Sequence, residues 1–283
     1  MSTLTLLQER ELAMYKQVAE ICRSEDLRFY ALGGTLLGAV RHGGFIPWDD
    51  DIDIALPRPD YDRFVGIAKR ELPSYLVPKT YRDEQGESHP MFICIIKDTR
   101  TKIQLNHANV TENTSVWLDV FPLDAMPSNT LLRTVHKYRL LYERMKIQFS
   151  MYEENVHQHR ENRPLHERAL MKFREKTGFG SQWDTYELMC HIERTLRQYD
   201  YEREGWFVNM FGAYKFREMF PKEWFGNGIE LPFEDTTIPC PVEYNKVLTQ
   251  MYGDYMTLPP EEQRGQQHRM TVISLGEESS CEG

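Results

Sequence analysis

The sequence predicts an α+β fold, a mixed β-sheet flanked by helices with a helix-rich C-terminal part. Three observations predict it. Short apolar runs broken by glycine or proline alternate with amphipathic stretches up to Pro127. Met91-Phe-Ile-Cys-Ile-Ile96 is apolar on both faces, which suits a central strand. After Pro127 the apolar spacing changes to threes and fours, the period of a helix. The chain thus divides into a sheet-bearing core at 1–127, a helix-rich part at 128–260 and a polar, partly disordered tail at 261–283.

Leu4 to Arg23 reads as an amphipathic helix, with Leu4, Leu7, Met14, Val18 and Ile21 near one face. Arg28–Leu32 is a short buried strand. Gly33-Gly34 breaks it, and Thr35 caps a short helix to about Arg41. His42–Pro47 is a loop, and Asp51–Leu56 is a second strand stopped by Pro57 and Pro59. Asp60 is placed to N-cap a helix from Tyr61 to about Leu72. Strands follow at Tyr75–Tyr81, Met91–Lys97, Lys102–Asn106 and Val116–Phe121, with a polar loop at Arg82–His89. Helices are expected at Leu131–Tyr152, Pro164–Lys176 and Asp184–Tyr199. In the first of these, Leu131, Val135, Tyr138, Tyr142, Met145, Phe149 and Tyr152 form one apolar seam. Arg133, Lys137, Arg139, Arg144 and Lys146 give the same helix a basic face. Phe207–Phe225 is aromatic and irregular. Ile229–Phe233 and Thr236–Ile238 flank Glu234-Asp235 as a hairpin, and Pro241–Tyr252 is a last helix closed by Gly253.

At 283 residues, 41% hydrophobic and 27% charged, the chain can bury a sizeable core. A net charge of −9 argues against a sequence-independent nucleic-acid binder, so no nucleic-acid partner is expected. The five cysteines are scattered with no C-x-x-C pair, as in a reduced cytosolic protein without a zinc motif. Met1 to Lys16 alternates charge with leucine and does not read as a signal peptide, and no apolar run is long enough to span a membrane. A cytoplasmic protein is expected, with peripheral contact at the inner membrane face left open by the basic helix.

The chemistry gathers between Tyr30 and Leu56. Four aspartates, Asp49, Asp50, Asp51 and Asp53, stand within five positions and would repel one another without a cation. In a strand, positions i and i+2 share a face, so Asp51 and Asp53 point together. That alternation sends Asp50 to the other face and leaves Asp49 as an outer contact. Two adjacent carboxylates can hold a pair of metal ions about 4 Å apart. The best third ligand is Asp119, a lone charge in the apolar run Val116–Phe121. Gly33-Gly34 offers bare backbone N–H groups near a helix N-terminus, a phosphate cradle, and Arg41 can clamp a phosphate. His268, near the C-terminus, is a further candidate for phosphate or proton work.

Gly33-Gly34, an Asp-x-Asp on the next strand and an aspartate on a later strand resemble the nucleotidyltransferase superfamily. The long run from Gly34 through Trp48-Asp-Asp-Asp-Ile-Asp-Ile54 looks like the hallmark of the LicD family, the phosphorylcholine transferases of bacterial surface glycopolymers. Leu118–Asp124 and Val247–Pro260 look like later blocks of that family, and the fukutin-related proteins share the core signature. The resemblance implies a polymerase-β-like core in 1–127, with 128–260 completing the cleft and the acceptor site. It implies transfer of phosphorylcholine, or a similar substituted phosphate, from CDP-choline or a related nucleotide donor. The acceptor would be a sugar hydroxyl of a glycopolymer precursor, such as a teichoic acid or lipopolysaccharide. Asp51, Asp53 and Asp119 would hold Mg²⁺, with Mn²⁺ as the alternative ion. Gly33, Gly34, Thr35 and Arg41 would contact the donor phosphates. A choline head group would call for an aromatic cage among Trp183, Tyr186, Tyr201, Trp206, Phe207, Phe211, Tyr214 and Trp224. The rival reading is a nucleotidyltransferase that adenylylates a small molecule such as an aminoglycoside.

Overall fold

A computed structural model describes residues 4–83, 92–107, 110–151, 172, 176–180, 182–264 and 270–275. In chain order the elements are α1 (Leu6–Ser24), β1 (Tyr30–Ala31), α2 (Gly33–His42), β2 (Asp53–Pro57), α3 (Arg58–Glu71), β3 (Leu76–Lys79), β4 (Cys94–Asp98), β5 (Lys102–His107), β6 (Val110–Thr114) and β7 (Trp117–Met126). There follow α4 (Thr130–Ser150), α5 (Thr185–Leu196), β8 (Trp206–Val208), β9 (Met219–Pro221), β10 (Ile229–Phe233), β11 (Thr236–Cys240), α6 (Tyr244–Tyr252) and β12 (Met270–Ser274).

The main sheet runs β1-β2-β7-β4-β3 and is mixed. Only β2 and β7 are parallel; β1 on β2, β4 on β7 and β3 on β4 are antiparallel. The end of β7 bends away to pair with β8, which pairs with β9, so the sheet continues past residue 127. One core packs residues from both sides of that point, including Val18, Ile54, Leu118, Phe207 and Val247. A smaller cluster of Met126, Leu140, Ile147, Ile192, Leu196, Val208 and Met210 joins α4 and α5 to the β7–β8 corner. The fold is α+β with a mixed sheet flanked by helices, as the sequence predicts.

Local chemistry sets the helix ends. Thr5 and Gln8 form a reciprocal capping box on α1, which then buries Leu7, Met14, Tyr15 and Val18. Gly43, at φ +68°, closes α2 in the left-handed conformation. Asn129 accepts from the backbone N–H groups of Leu131 and Leu132 to start α4.

Several expectations need correction. The strand expected from Asp51 starts only at Asp53, so residues 49–52 are irregular. Thr35 does not cap α2, whose N-cap is Leu32. Asp60 does not cap α3, which begins at Arg58; it lies in the first turn, where it accepts from Arg28 Nε at 2.6 Å. The first half of the α4 seam faces outward, while Met145 is half-buried and Phe149 buried as expected. Leu131, Val135, Tyr138 and Tyr142 are 57–72% exposed, while His136, Leu140, Glu143 and Ile147 are buried. Periodicity shows that a stripe exists but not what covers it. The aromatic stretch from Phe207 contains the short strands β8 and β9, and the polar tail contains β12, which pairs with β5. The helix expected at Pro164–Lys176 lies almost wholly outside the described residues, as do His268 and residues 277–283. Among the described residues no helix is long and apolar enough to cross a membrane.

Candidate active site

The parallel pairing of β2 with β7 sets the centre of the site. Asp53 and Asp119 are register partners across it, so their carboxylates sit side by side at the N-terminal ends of the two strands. Their chain neighbours Ile52, Ile54, Leu118 and Val120 are fully buried, which anchors both segments from the opposite face. At the other end of the same two strands, Arg58 grips Asp124 with two hydrogen bonds of 2.6 and 2.7 Å, both side chains buried.

Gly33 and Gly34 lean over these acids. Gly33 has φ +57°, and a Cβ there would lie 3.0 Å from Asp53 Oδ2. A Cβ on Gly34 would lie 2.5 Å from Asp49 Oδ2, closer than side chains come. The glycine pair is therefore needed for close approach to carboxylates, not only for a turn. Thr35 is buried, and its Oγ1 accepts the backbone N–H of Asp53 at 2.8 Å. It thereby fixes the first residue of β2. Arg41 stands eight residues after Gly33 on α2, about 12 Å along the axis at 1.5 Å per residue. There it donates to Tyr255 O at 3.0 Å, and burial, then the nearby Arg264, lower its affinity for its proton. The structure thus keeps Arg41 apart from the glycine turn and sets it beside a second arginine.

The aspartate run differs from its expected arrangement. Because residues 49–52 are not a strand, alternation does not apply, and Asp50 is not turned to the far side. Carboxylate oxygens of Asp49, Asp50 and Asp51 all lie within 4.8 Å of one another. Asp49 and Asp50 are buried, while Asp51, Asp53 and Asp119 are half-buried. Burial, then Asp51, Asp119, Asp49 and Glu218, pushes the Asp53 carboxyl well above the usual carboxylate range.

Two residues escaped the reading of the sequence, Glu11 and Glu218, while Tyr252 lies in the Val247–Pro260 block already singled out. Glu11 of α1 is only 2% exposed, and burial followed by Asp51, Asp50, Asp49 and Asp119 raises its pKa strongly. Its signal was available: it lies four residues after Leu7 and three before Met14, a charge inside the apolar face. Glu218, from the aromatic stretch, is pushed up to about 7 by burial, although it accepts from Asn209 Nδ2 and Tyr214 N. Tyr252 is raised by burial, then by Tyr214, Asp53, Glu218 and Asp49. Its ring meets Tyr214 edge-on at 5.1 Å. Of the aromatic residues expected near a head group, Tyr201 and Phe207 are buried in the core, while Tyr214 flanks the acids through Tyr252.

The donor set is all carboxylate oxygen, and every charged neighbour acting strongly on Glu11 or Asp53 is an acid. Such a set fits a hard divalent cation and does not fit a soft metal.

The family model described as LicD/FKTN/FKRP, nucleotidyltransferase domain, matches residues 26–183, more than half of the chain. The lipopolysaccharide cholinephosphotransferase LicD of Haemophilus influenzae is 29% identical over 252 residues, covering 88% of this chain and 89% of that protein. The human and mouse ribitol 5-phosphate transferases FKRP are each 45% identical over 47 residues, 17% of this chain and 9% of theirs.

Proposed function

The chain belongs to the LicD/FKTN/FKRP nucleotidyltransferase-domain family, and on that premise we propose that it transfers phosphorylcholine, or a similar substituted phosphate, from a CDP-linked donor to a sugar hydroxyl of a cell-surface glycan. The observation that carries this is the register pairing of Asp53 with Asp119 beneath the Gly33-Gly34 turn. The relation to a lipopolysaccharide cholinephosphotransferase over nearly its whole length supports the group transferred and the class of acceptor.

Asp51, Asp53 and Asp119 would hold Mg²⁺ or Mn²⁺, which when bound supplies positive charge against the donor pyrophosphate and the departing CMP. The N–H groups at the start of α2 would orient the donor phosphates, since no side chain of Gly33 or Gly34 stands in the way. Thr35 would act on the donor only through Asp53, because its hydroxyl already accepts that residue's N–H. One carboxylate of the cluster would take the acceptor hydroxyl's proton. The Tyr214–Tyr252 pair, with Glu218 beside it, supports a cationic head group, which favours aromatic faces backed by an acid. The outer face of α4 supports peripheral contact with an anionic membrane. Its exposed Leu131, Val135, Tyr138 and Tyr142 are interspersed with Lys137 and Lys146, and its one acid, Glu143, is buried.

The test is incubation with CDP-choline or ATP and a glycan acceptor, read by mass spectrometry. A product heavier by phosphocholine is expected, and it is lost in Asp53→Asn and Asp119→Asn. A product heavier by AMP would instead establish adenylylation and sink the proposal.

A further inference from the structure

The function proposed above leaves a cationic patch unused at the C-terminal end of α2. Arg41 is half-buried, donates through Nη1 to Tyr255 O at 3.0 Å, and makes no ion pair among the described residues. Its Nε lies 3.5 Å from His42 Nδ1. His42 meets the half-buried Trp48 ring edge-on, centroids 6.4 Å apart, and the Arg264 guanidinium lies over the same ring, 5.6 Å from its centroid. Arg264 Nε donates to Pro259 O at 2.8 Å, so the 255–264 segment holds both arginines. The acid beside Arg264 is Glu261, 4.0 Å away on a side chain 91% exposed, and a surface pair of that kind adds little. Two guanidinium groups so placed repel unless an anion joins them, and their planar forks suit the oxygens of a phosphate.

This anion is not one of the donor phosphates. Those are assigned above to the start of α2, and Arg41 stands about 12 Å further along the axis, with its guanidinium turned to Tyr255. The two phosphates of a diphosphate share one bridging oxygen and do not span that length. Trp48 directly precedes Asp49, so the patch still borders the acidic cluster. We propose that Arg41 and Arg264 hold a phosphate monoester carried by the acceptor, which is therefore a phosphorylated glycan and not a neutral one. This deepens the function proposed above and rests on it for the reaction. The two positive charges match the dianion. They also offset, at the rim, the repulsion that the aspartates of a chain of net charge −9 exert on an anionic acceptor. A glycan tethered there by its phosphate presents a neighbouring sugar hydroxyl to the acidic cluster.

The experiment titrates the full chain, by calorimetry and without donor, with one glycan in two forms. These are a phosphorylated lipopolysaccharide core oligosaccharide and the same oligosaccharide after phosphatase treatment. The parent is expected to bind the phosphorylated form at least about tenfold more tightly. Arg264→Gln and Arg41→Gln should each weaken that form about 10- to 100-fold, as expected for a lost charged hydrogen bond, and leave the dephosphorylated form within about twofold. Arg264→Lys keeps the charge but loses the fork and should fall between. If Arg41→Gln does not fold, which circular dichroism reports, Arg264→Gln decides. Equal parental affinity for the two forms overturns the inference, as does an equal loss on both forms in Arg264→Gln. CDP-choline titrated in the presence of Mn²⁺ separates the two sources of phosphate. Its affinity should stay within about twofold in Arg264→Gln; a fall of tenfold there, with glycan binding kept, assigns the arginines to the donor and overturns the inference. A parent that binds the phosphorylated glycan through both arginines yet transfers nothing from CDP-choline supports the inference and counts against the proposed function alone.

Discussion

Two alanine substitutions on α2 should part company in what they damage. In Gly34→Ala the new Cβ lies 2.5 Å from Asp49 Oδ2, against the 3.4 Å where ordinary contact begins, so about 0.9 Å must be found. The obstacle is the tip of a side chain, and the backbone at Gly34 needs no positive φ. Asp49 moves, and the fold gains about 0.5–1 kcal/mol from replacing a helical glycine. Carboxylate ligands tolerate about 0.2 Å of error, so the affinity for at least one ion should fall about 10- to 100-fold. In Gly38→Ala the obstacle is backbone: Gly44 O at 2.4 Å and Ile46 N at 3.3 Å. Overpacking of that kind costs about 1–3 kcal/mol. At about 2.1 cal/mol/K of unfolding entropy per residue, 283 residues give about 0.6 kcal/mol/K, hence a Tm lower by about 2–5 °C. Melting in chelator and Mn²⁺ titration read the two effects separately. Parental Mn²⁺ affinity and turnover in Gly34→Ala would refute the reasoning, because the Cβ contact would then not move Asp49.

Further outcomes follow from the same structure. Arg58→Met should destabilise by about 3–5 kcal/mol, since it strands the buried Asp124, and adding Asp124→Leu should recover most of the loss; chemical denaturation in chelator measures both. Glu218 has its folded pKa raised from 4.5 to about 7, so the stability it contributes is present below pH 4.5 and lost as pH rises through 7. Glu218→Gln should therefore match the parent near pH 4.5 and exceed it by up to about 3 kcal/mol at pH 8 in metal-free urea titrations; an equal gap at both pH values would contradict this. Sedimentation with vesicles containing anionic lipid should carry the parent chain down and leave Val135→Glu in solution; co-sedimentation of both would take the α4 face out of the account.

Much of the centre was legible in the sequence because it obeys local rules. Gly33-Gly34 breaks a strand, Asp53 alternates with buried isoleucines, and Asp119 is a charge that an apolar strand would not otherwise tolerate. What was misread depends on partners far away in the chain. Asp50 joins the cluster because β2 starts two residues later than its hydrophobic pattern begins. Glu11 stands in no motif, though its spacing from Leu7 and Met14 puts it on the inner face of the helix. β8 and β12 are strands only because β7 and β5 pair with them, and β9 because β8 does; their own sequences are too short to announce it. The outward turn of the first half of the α4 stripe, Leu131 to Tyr142, could not be read from its period.

The ion pair at the far end of β2 and β7 acts as a gauge for the site. Asp53 meets Asp119 only after the intervening chain has emerged and the two strands have joined in parallel, a late, non-local event in assembly. Like charges at that end give no preference for the correct alignment before an ion arrives. The preference comes from Arg58 and Asp124, which are themselves 66 positions apart and attract. A slip of one residue would break that grip and turn Asp119 into the core. A growing chain can thus align its acidic end by testing the match at the opposite one.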